Sequence, residues 1–290
     1  MNNIDPLQNN HPGLTVVIAT LGGEWIKNTI DSLLTGSTVP DEILICIPEA
    51  YADNVKQLAT QTVKIISTEV KGQVRQRAVG FKSAACPLVL QLDDDILLEK
   101  DTIHNLIEYI QQLGKGNVIA PAYYGKNSHT CIHTMLQGFA GFKKDLFDSI
   151  VCAAPWGQKK MGVVTNIGIN YGVDDALCTK ELMQTQWLPG GCVLSFKEDL
   201  VTNDFFPFEG KAYCEDVYHS FFRRLAKTKM WVAKKIRVYI DEPEPEFSRA
   251  AVEKVILIRR KYLSLINGPE WRLFLYEVFC RIRSRLNDRK

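Results

Sequence analysis

Short apolar runs recur along the first half of the chain, each bounded by glycine, proline or a polar cluster. "LTVVIAT" (14–20), "DEILICIP" (41–48), "VKIISTE" (63–69) and "PLVLQL" (87–92) have the length and β-branched content of strands. Between the first two, "EWIKNTIDSLLTGS" (24–37) spaces Trp25, Ile26, Ile30, Leu33 and Leu34 as one face of a helix and stops at a glycine. "YADNVKQLATQ" predicts a short helix and "GQVRQRAVGFKSAA" (72–85) a longer one. Strands and helices alternating at this spacing predict an α/β fold, a mostly parallel sheet flanked by helices. Right-handed crossovers then bring the strand ends, and any ligand, to one edge.

The second half is less regular. "LEKDTIHNLIEYIQQLGKG" (98–116) predicts a helix closed by glycines, followed by a strand at "NVIAPAYY". Residues 125–186 mix glycine, lysine and aromatics without a clear period and read as an insertion. "WLPGGCVLSFKEDLV" (187–201) predicts a Gly-Gly turn, a strand and a helix start. "CEDVYHSFFRRLAKTK" (214–229) predicts a helix and "MWVAKKIRVYI" (230–240) a last strand. The acidic, proline-containing "DEPEPEFS" then separates this body from two further helices. The organisation is a flexible 1–12, one α/β domain over 13–245 and a helical tail over 246–290.

Composition adds little to the fold but shapes the partners. With 46% hydrophobic and 23% charged residues, the 290-residue chain is ordinary for a globular protein. Its formal charge of +2 is unevenly spread. Residues 248–290 hold eleven Lys or Arg against four Asp or Glu, so the preceding body is mildly acidic. That division argues against nucleic acid as a partner and for a surface-binding tail. In the last helix Trp271, Phe274, Leu275, Val278, Phe279, Ile282 and Leu286 recur at three- and four-residue steps among arginines. Such a helix suits an anionic membrane surface, and equally suits packing on the body or on a second subunit. The eight cysteines form no C-x-x-C pair, and the N-terminus lacks a signal-peptide plan. No apolar stretch reaches the length of a membrane span. These features predict a cytoplasmic protein, peripheral on the inner face of the membrane if the tail binds lipid.

The chemistry gathers at "LQLDDDI". A buried strand delivers Asp93, Asp94 and Asp95 together to the ligand edge, where like charges raise one another's pKa unless a positive group balances them. A hard divalent cation, Mg²⁺ or Mn²⁺, suits adjacent carboxylates, and Mg²⁺ is commonly shared between one or two carboxylates and substrate phosphates. The turn after the first strand, "ATLGGEWI", has neither G-x-G-x-x-G nor G-K-[ST]. Phosphates must then be met by metal and by basic residues, for which Lys71, Arg75 and Arg77 stand just upstream. Arg77 can pair with an aspartate or reach a phosphate.

With a first strand ending at Thr20, then Gly72, Arg77 and Gly80 in a G-x(4)-R-x(2)-G pattern, then a strand and D-x-D at Asp93 and Asp95, the sequence resembles glycosyltransferase family 2, with the GT-A fold. The resemblance covers about residues 14–120 and, less closely, 187–240. It implies a catalytic domain over 13–245, an acceptor role for 125–186, and a nucleotide-diphosphate sugar as donor. It further implies that Thr20, Arg77, Asp93 and Asp94 meet the nucleotide, and that Asp93 and Asp95 hold the metal. At the end of the second strand the family's "D-[DN]-x-S-x-D" is replaced by "Ile47-Pro48-Glu49-Ala50", with Glu49 as the substitute and Asp53 a weaker one. The "ED" pair opening the helix at 215 makes Asp216 the general base for an acceptor hydroxyl, with Glu215 beside it. The implied activity is inverting transfer to a saccharide or lipid-linked acceptor in surface polysaccharide or glycolipid assembly.

Other polar groups read as structural. His129 and His133 are four apart but lack the carboxylate of an H-E-x-x-H zinc site, and His219 stands one turn after Glu215 where a hydrogen bond is feasible. Trp156 and Trp187 default to core packing. Two rival activities stand beside transfer. One is a sugar-1-phosphate nucleotidyltransferase, whose glycine-rich nucleotide loop "TLGGEWIKN" supplies poorly. The other is a silent nucleotide-sugar-binding protein.

Overall fold

The computed structural model describes residues 12–69, 71–208, 212–242 and 248–287. The expectation for residues 1–11 and most of the acidic spacer at 241–248 fall outside that set. In chain order the elements are β1 (Leu14–Ala19), α1 (Ile26–Leu34), β2 (Glu42–Pro48), β3 (Val63–Thr68), α2 (Gln73–Ser83), β4 (Leu88–Leu92), β5 (Leu97–Leu98) and α3 (Thr102–Leu113). There follow β6 (Asn117–Gly125), α4 (Gly138–Cys152), β7 (Leu182–Thr185), β8 (Cys192–Phe196), α5 (Glu215–Leu225), β9 (Lys229–Ile240), α6 (Arg249–Ile266) and α7 (Glu270–Asn287).

One nine-stranded sheet runs β3-β2-β1-β4-β8-β6-β9-β5, with β7 paired to β9. The first four strands are parallel, with Val17 opposite Leu44 and Gln91. β8 enters antiparallel between β4 and β6, so the second half is mixed. β1, β2 and β4 are buried along their whole length because helices cover both faces, which explains their unbroken apolar runs. On one face Ile30 and Leu33 of α1 and Leu106 and Ile110 of α3 pack against alternate strand residues such as Leu90 and Leu92. On the other, Phe81 of α2 packs against Val17, Leu44 and Val89. A Cβ at Gly80 would lie 2.4 Å from Val17 Cγ1 and 2.6 Å from Cys46 Sγ, so only glycine lets α2 approach this closely.

Three readings are refined by tertiary packing. The short helix after β2 is two 3₁₀ pieces, Glu49–Asn54 and Lys56–Leu58, around Val55, whose side chain is buried. The helix expected from 98 begins at Thr102, because Leu97 and Leu98 pair with Tyr239 and Val238. The helix start expected near 197 is one 3₁₀ turn, Lys197–Asp199. Residues 125–186 are tied into the body: Tyr124 bridges to Cys131, and β7 extends the sheet on β9. The tail also docks. Tyr218 of α5 donates its hydroxyl hydrogen bond to Ile258 O at 2.7 Å and meets the Tyr262 ring edge-on, so α6 lies on the body, and α7 lies against α6 and α4. Among the described residues no helix is long and apolar enough to cross a membrane.

Candidate functional site

The three aspartates leave β4 together and then diverge. The Asp93 N–H donates to Gly191 O at 2.7 Å, anchoring the strand end to the turn before β8. The Asp93 carboxylate turns inward and accepts from Arg77 Nη2 at 2.5 Å and Gln73 Nε2 at 3.1 Å. Asp94 accepts the Thr20 hydroxyl, and its carbonyl accepts the Thr29 hydroxyl at 2.9 Å. Burial pushes the Asp94 carboxyl up, against the pull of the Thr20 hydrogen bond. Asp95 is exposed. Partial desolvation, then the charges of Asp93 and Asp94, push it up to about 6.

Arg77 is the positive group that the triplet needs, and it serves Asp93. Its side chain is almost fully buried. Nη2 goes to Asp93 while Nη1 donates to Glu215 Oε1 at 2.5 Å. One guanidinium thereby joins the end of β4 to the start of α5. A planar fork on two carboxylates is a task for arginine, since lysine presents a single point of charge. The turn Gly190–Gly191 permits this closeness: a Cβ at Gly190 would lie 2.4 Å from Glu215 Oε1, and one at Gly191 would lie 3.1 Å from Asp93 Oδ2. The Tyr123 hydroxyl braces the same turn by accepting the Cys192 N–H at 2.5 Å.

At the start of α5, Cys214 adopts a left-handed conformation (φ 57°), which is strained for a residue with a Cβ. The turn it makes separates the fates of two adjacent acids. Glu215 is buried on Arg77, while Asp216 is only half-buried and its Oδ1 accepts the Val217 N–H at 2.9 Å. A helix N-terminus favours negative charge. Desolvation, with Glu215 next to it, outweighs that benefit and pushes Asp216 up to about 7.

A cavity of about 400 Å³ opens beside these groups, lined among others by Thr20, Gly23, Lys71, Gln73, Gln76 and Asp94. A second, of about 310 Å³, shares Lys71, Gly72, Gln73 and Ala212 with it and is walled by Asp204 and Phe205–Phe208. A larger concavity, about 790 Å³ between α6 and α7, shares no lining residue with either. The pair beside the carboxylates is therefore the better candidate, on chemistry in place of size.

Of the sequence-predicted residues, the structure gathers Thr20 with Asp94, and Arg77 with Asp93 and Glu215, two bonded sets that meet at the adjacent Asp93 and Asp94. Asp95 and Asp216 flank them. Glu49 stands apart: it is exposed on the 3₁₀ turn after β2 and lines neither cavity, and Asp53 is spent on Lys56 at 2.9 Å. Lys71 lines both cavities, whereas Arg75 is tied to Asp204. Two glutamines escaped sequence reasoning. Gln73 supports Asp93, and the buried Gln76 donates to Thr20 O and Cys46 O, both at 2.7 Å, clamping the ends of β1 and β2. Their spacing from Gly72 was the only available signal. His219 makes no hydrogen bond to Glu215; it is buried against the Phe205 ring, 5.0 Å between centroids, and burial drives its pKa well down. Trp187 is core, its Nε1 donating to Tyr171 O, while Trp156 is exposed against Phe142.

Among the described residues no group of three or more His, Cys, Asp or Glu could hold a metal alone. Asp93 already balances Arg77, which leaves the exposed Asp95 as the outward, hard oxygen donor. This fits a cation shared between a carboxylate and substrate phosphates and does not fit a full protein cage.

The sequence model described as Glycosyl transferase family 2 matches residues 15–158, from β1 through α4. No curated protein sequence matches the chain. Among solved structures, GalNAc-T7 with UDP, GalNAc and Mn²⁺ superposes with a TM-score of 0.58 at 16% identity, over 87% of this chain and 49% of that one. The Staphylococcus aureus TarS fragment 1–349 in complex with UDP-GlcNAc gives 0.51 at 17% identity, over 85% of this chain and 65% of the fragment. At such identities the likeness is one of fold. The chain spans about half the length of GalNAc-T7 and just under two thirds of the TarS fragment. The family match identifies residues 15–158 as a glycosyltransferase family 2 domain, and the shared architecture shows that the chain has the GT-A fold.

Proposed function

We propose that the protein transfers a sugar, with inversion, from a nucleotide-diphosphate donor to a saccharide hydroxyl, in the assembly of a surface polysaccharide or glycolipid. The observation that carries this reading is the Asp93–Arg77–Glu215 bridge, which couples the acidic strand end to a helix whose Asp216 is poised near neutrality. A base with its pKa near working pH is what acceptor activation requires. GalNAc-T7 with UDP and TarS with UDP-GlcNAc make a UDP-sugar the first donor to test.

The cavity lined by Thr20, Lys71, Gln73 and Asp94 receives the nucleotide, with Lys71 meeting a phosphate oxygen. A divalent cation, Mg²⁺ or Mn²⁺, held by Asp95 with the diphosphate, would supply charge neutralisation for the leaving group. Asp216 takes the proton of the acceptor hydroxyl as that oxygen bonds to the anomeric carbon and the bond to the diphosphate breaks. Glu215, pinned by Arg77, is not available as a nucleophile, which supports single displacement over a covalent glycosyl intermediate. Arg77 orients both carboxylates.

Purified protein is incubated with UDP-, GDP-, dTDP- and CMP-sugars, Mn²⁺ and a panel of saccharide and lipid-linked acceptors, with release of the nucleotide diphosphate measured. Asp216→Asn should lower turnover by roughly 10²- to 10⁴-fold, and Asp95→Ala should abolish the dependence on Mn²⁺. Full activity in both variants would overturn the site assignment. Donor binding without hydrolysis or transfer would favour the silent binding protein.

A further inference from the structure

The helices α4 and α7, one from the irregular middle of the chain and one from the tail, build a joint surface. They touch through Phe147 and Phe279, whose rings lie 4.4 Å apart, and through Arg272, which donates to Ile150 O at 2.5 Å. Phe147 and Val151 face a small core with Leu263, Leu273 and Tyr276. That packing leaves a second, largely exposed stripe on each helix. On α4 the stripe is Phe139, Phe142, Leu146 and Ile150, with Phe139 71% exposed. On α7 it is Trp271, Phe274, Val278, Ile282 and Leu286, with Trp271 58% exposed. Apolar side chains this large, exposed on neighbouring helices, exceed what a monomer surface ordinarily carries.

Charge says what covers them. The exposed charged positions on these helices are almost all basic, with Lys143 on α4 and Arg283 and Arg285 on α7, while Lys144 is paired with Asp148 at 3.0 Å. Lys143 lies over the Phe139 ring at 4.4 Å and Arg272 over Trp271 at 4.5 Å, so cations and aromatics are interleaved. The carboxylates are turned inward and paired. Asp145 and Asp148 take Lys160 at 2.5 and 2.7 Å, and Glu277 is buried on Arg260. Glu270, at the first position of α7, is the exposed acid among the described residues of the two helices. A second copy of this face would set lysine and arginine against their own counterparts with almost no acid in reply. A bilayer containing anionic lipid answers both features, with phosphate for the cations and hydrocarbon for the rings.

We propose that the α4/α7 face is a docking surface for an anionic lipid bilayer. The inference stands on the surface alone and does not require the glycosyl-transfer reading. The full chain is sedimented with phosphatidylcholine vesicles and with vesicles in which about a quarter of the lipid is phosphatidylglycerol. Binding to the anionic vesicles should exceed binding to the neutral ones by at least about tenfold and fall with added salt. The Phe142→Ser/Phe274→Ser and Lys143→Glu/Arg285→Glu variants should each lose about tenfold or more while keeping their unfolding temperatures, since these side chains are exposed. Equal sedimentation by both vesicle types, no sedimentation, or unchanged binding in both variants would overturn the proposal. A wild-type dimer in analytical ultracentrifugation that the Phe variant dissociates would also overturn it, assigning the face to self-association.

Discussion

Replacing Asp216 by asparagine should make the protein more stable, even as it removes the proposed base. In the fold, the Asp216 carboxyl is pushed from an ordinary 3.8 up to about 7, chiefly by desolvation. Because the folded state holds this proton more tightly than the unfolded chain, folding loses free energy as pH rises from about 4 to about 7, and the loss levels off above that. Each tenfold change in proton affinity corresponds to about 1.4 kcal/mol, so the full effect is at most about 4 kcal/mol. The side chain keeps some contact with water, which reduces a realistic expectation to about 2 kcal/mol. For a chain of this length that is a rise in Tm of about 3 °C at pH 8. Asparagine preserves the shape and the acceptor for the Val217 N–H but carries no charge to desolvate. Urea unfolding of both proteins at pH 5, 6, 7 and 8 measures the difference directly. The asparagine variant should gain progressively from pH 5 to 7 and hold its gain at pH 8. A variant no more stable than the parent at pH 8, or a difference independent of pH, would refute the account of Asp216 as a desolvated carboxylate.

Other expectations follow from the same geometry. Arg77→Lys should cost about 3 kcal/mol in urea unfolding, because one ammonium cannot serve both Asp93 and the buried Glu215 and leaves a buried charge uncompensated. A loss below about 1 kcal/mol would show that the bridge is incidental. Asp95→Ala should remove the part of UDP's thermal stabilisation that depends on Mn²⁺ and leave the part seen with UDP alone, a readout that does not require turnover. Gly80→Ala should destabilise by about 1–3 kcal/mol, measured by the same unfolding, since the added methyl meets Val17 and Cys46 inside van der Waals contact.

The division between what was legible and what was not follows the range of each interaction. Apolar runs and helical periods are local, so the sequence by itself determined the parallel core from β1 to β4, the helices between its strands, and the delivery of three aspartates to one edge. Glycine spacing pointed to Gly80, although only packing shows that α2 rests on Val17 there. The middle of the chain was illegible because β7 and α4 find their partners far away, in β9 and α7. The same reason governs the site. Local motifs and the family resemblance named Asp93, Arg77, Glu215 and Asp216, but Arg77 meets Asp93 across 16 residues of sequence and Glu215 across 138. Adjacent carboxylates look alike in sequence. Only the tertiary structure decided that Asp93 is neutralised by Arg77, that Asp95 stays outward, and that desolvation lifts Asp216 toward neutrality, because counter-charge and dielectric are set by neighbours in space.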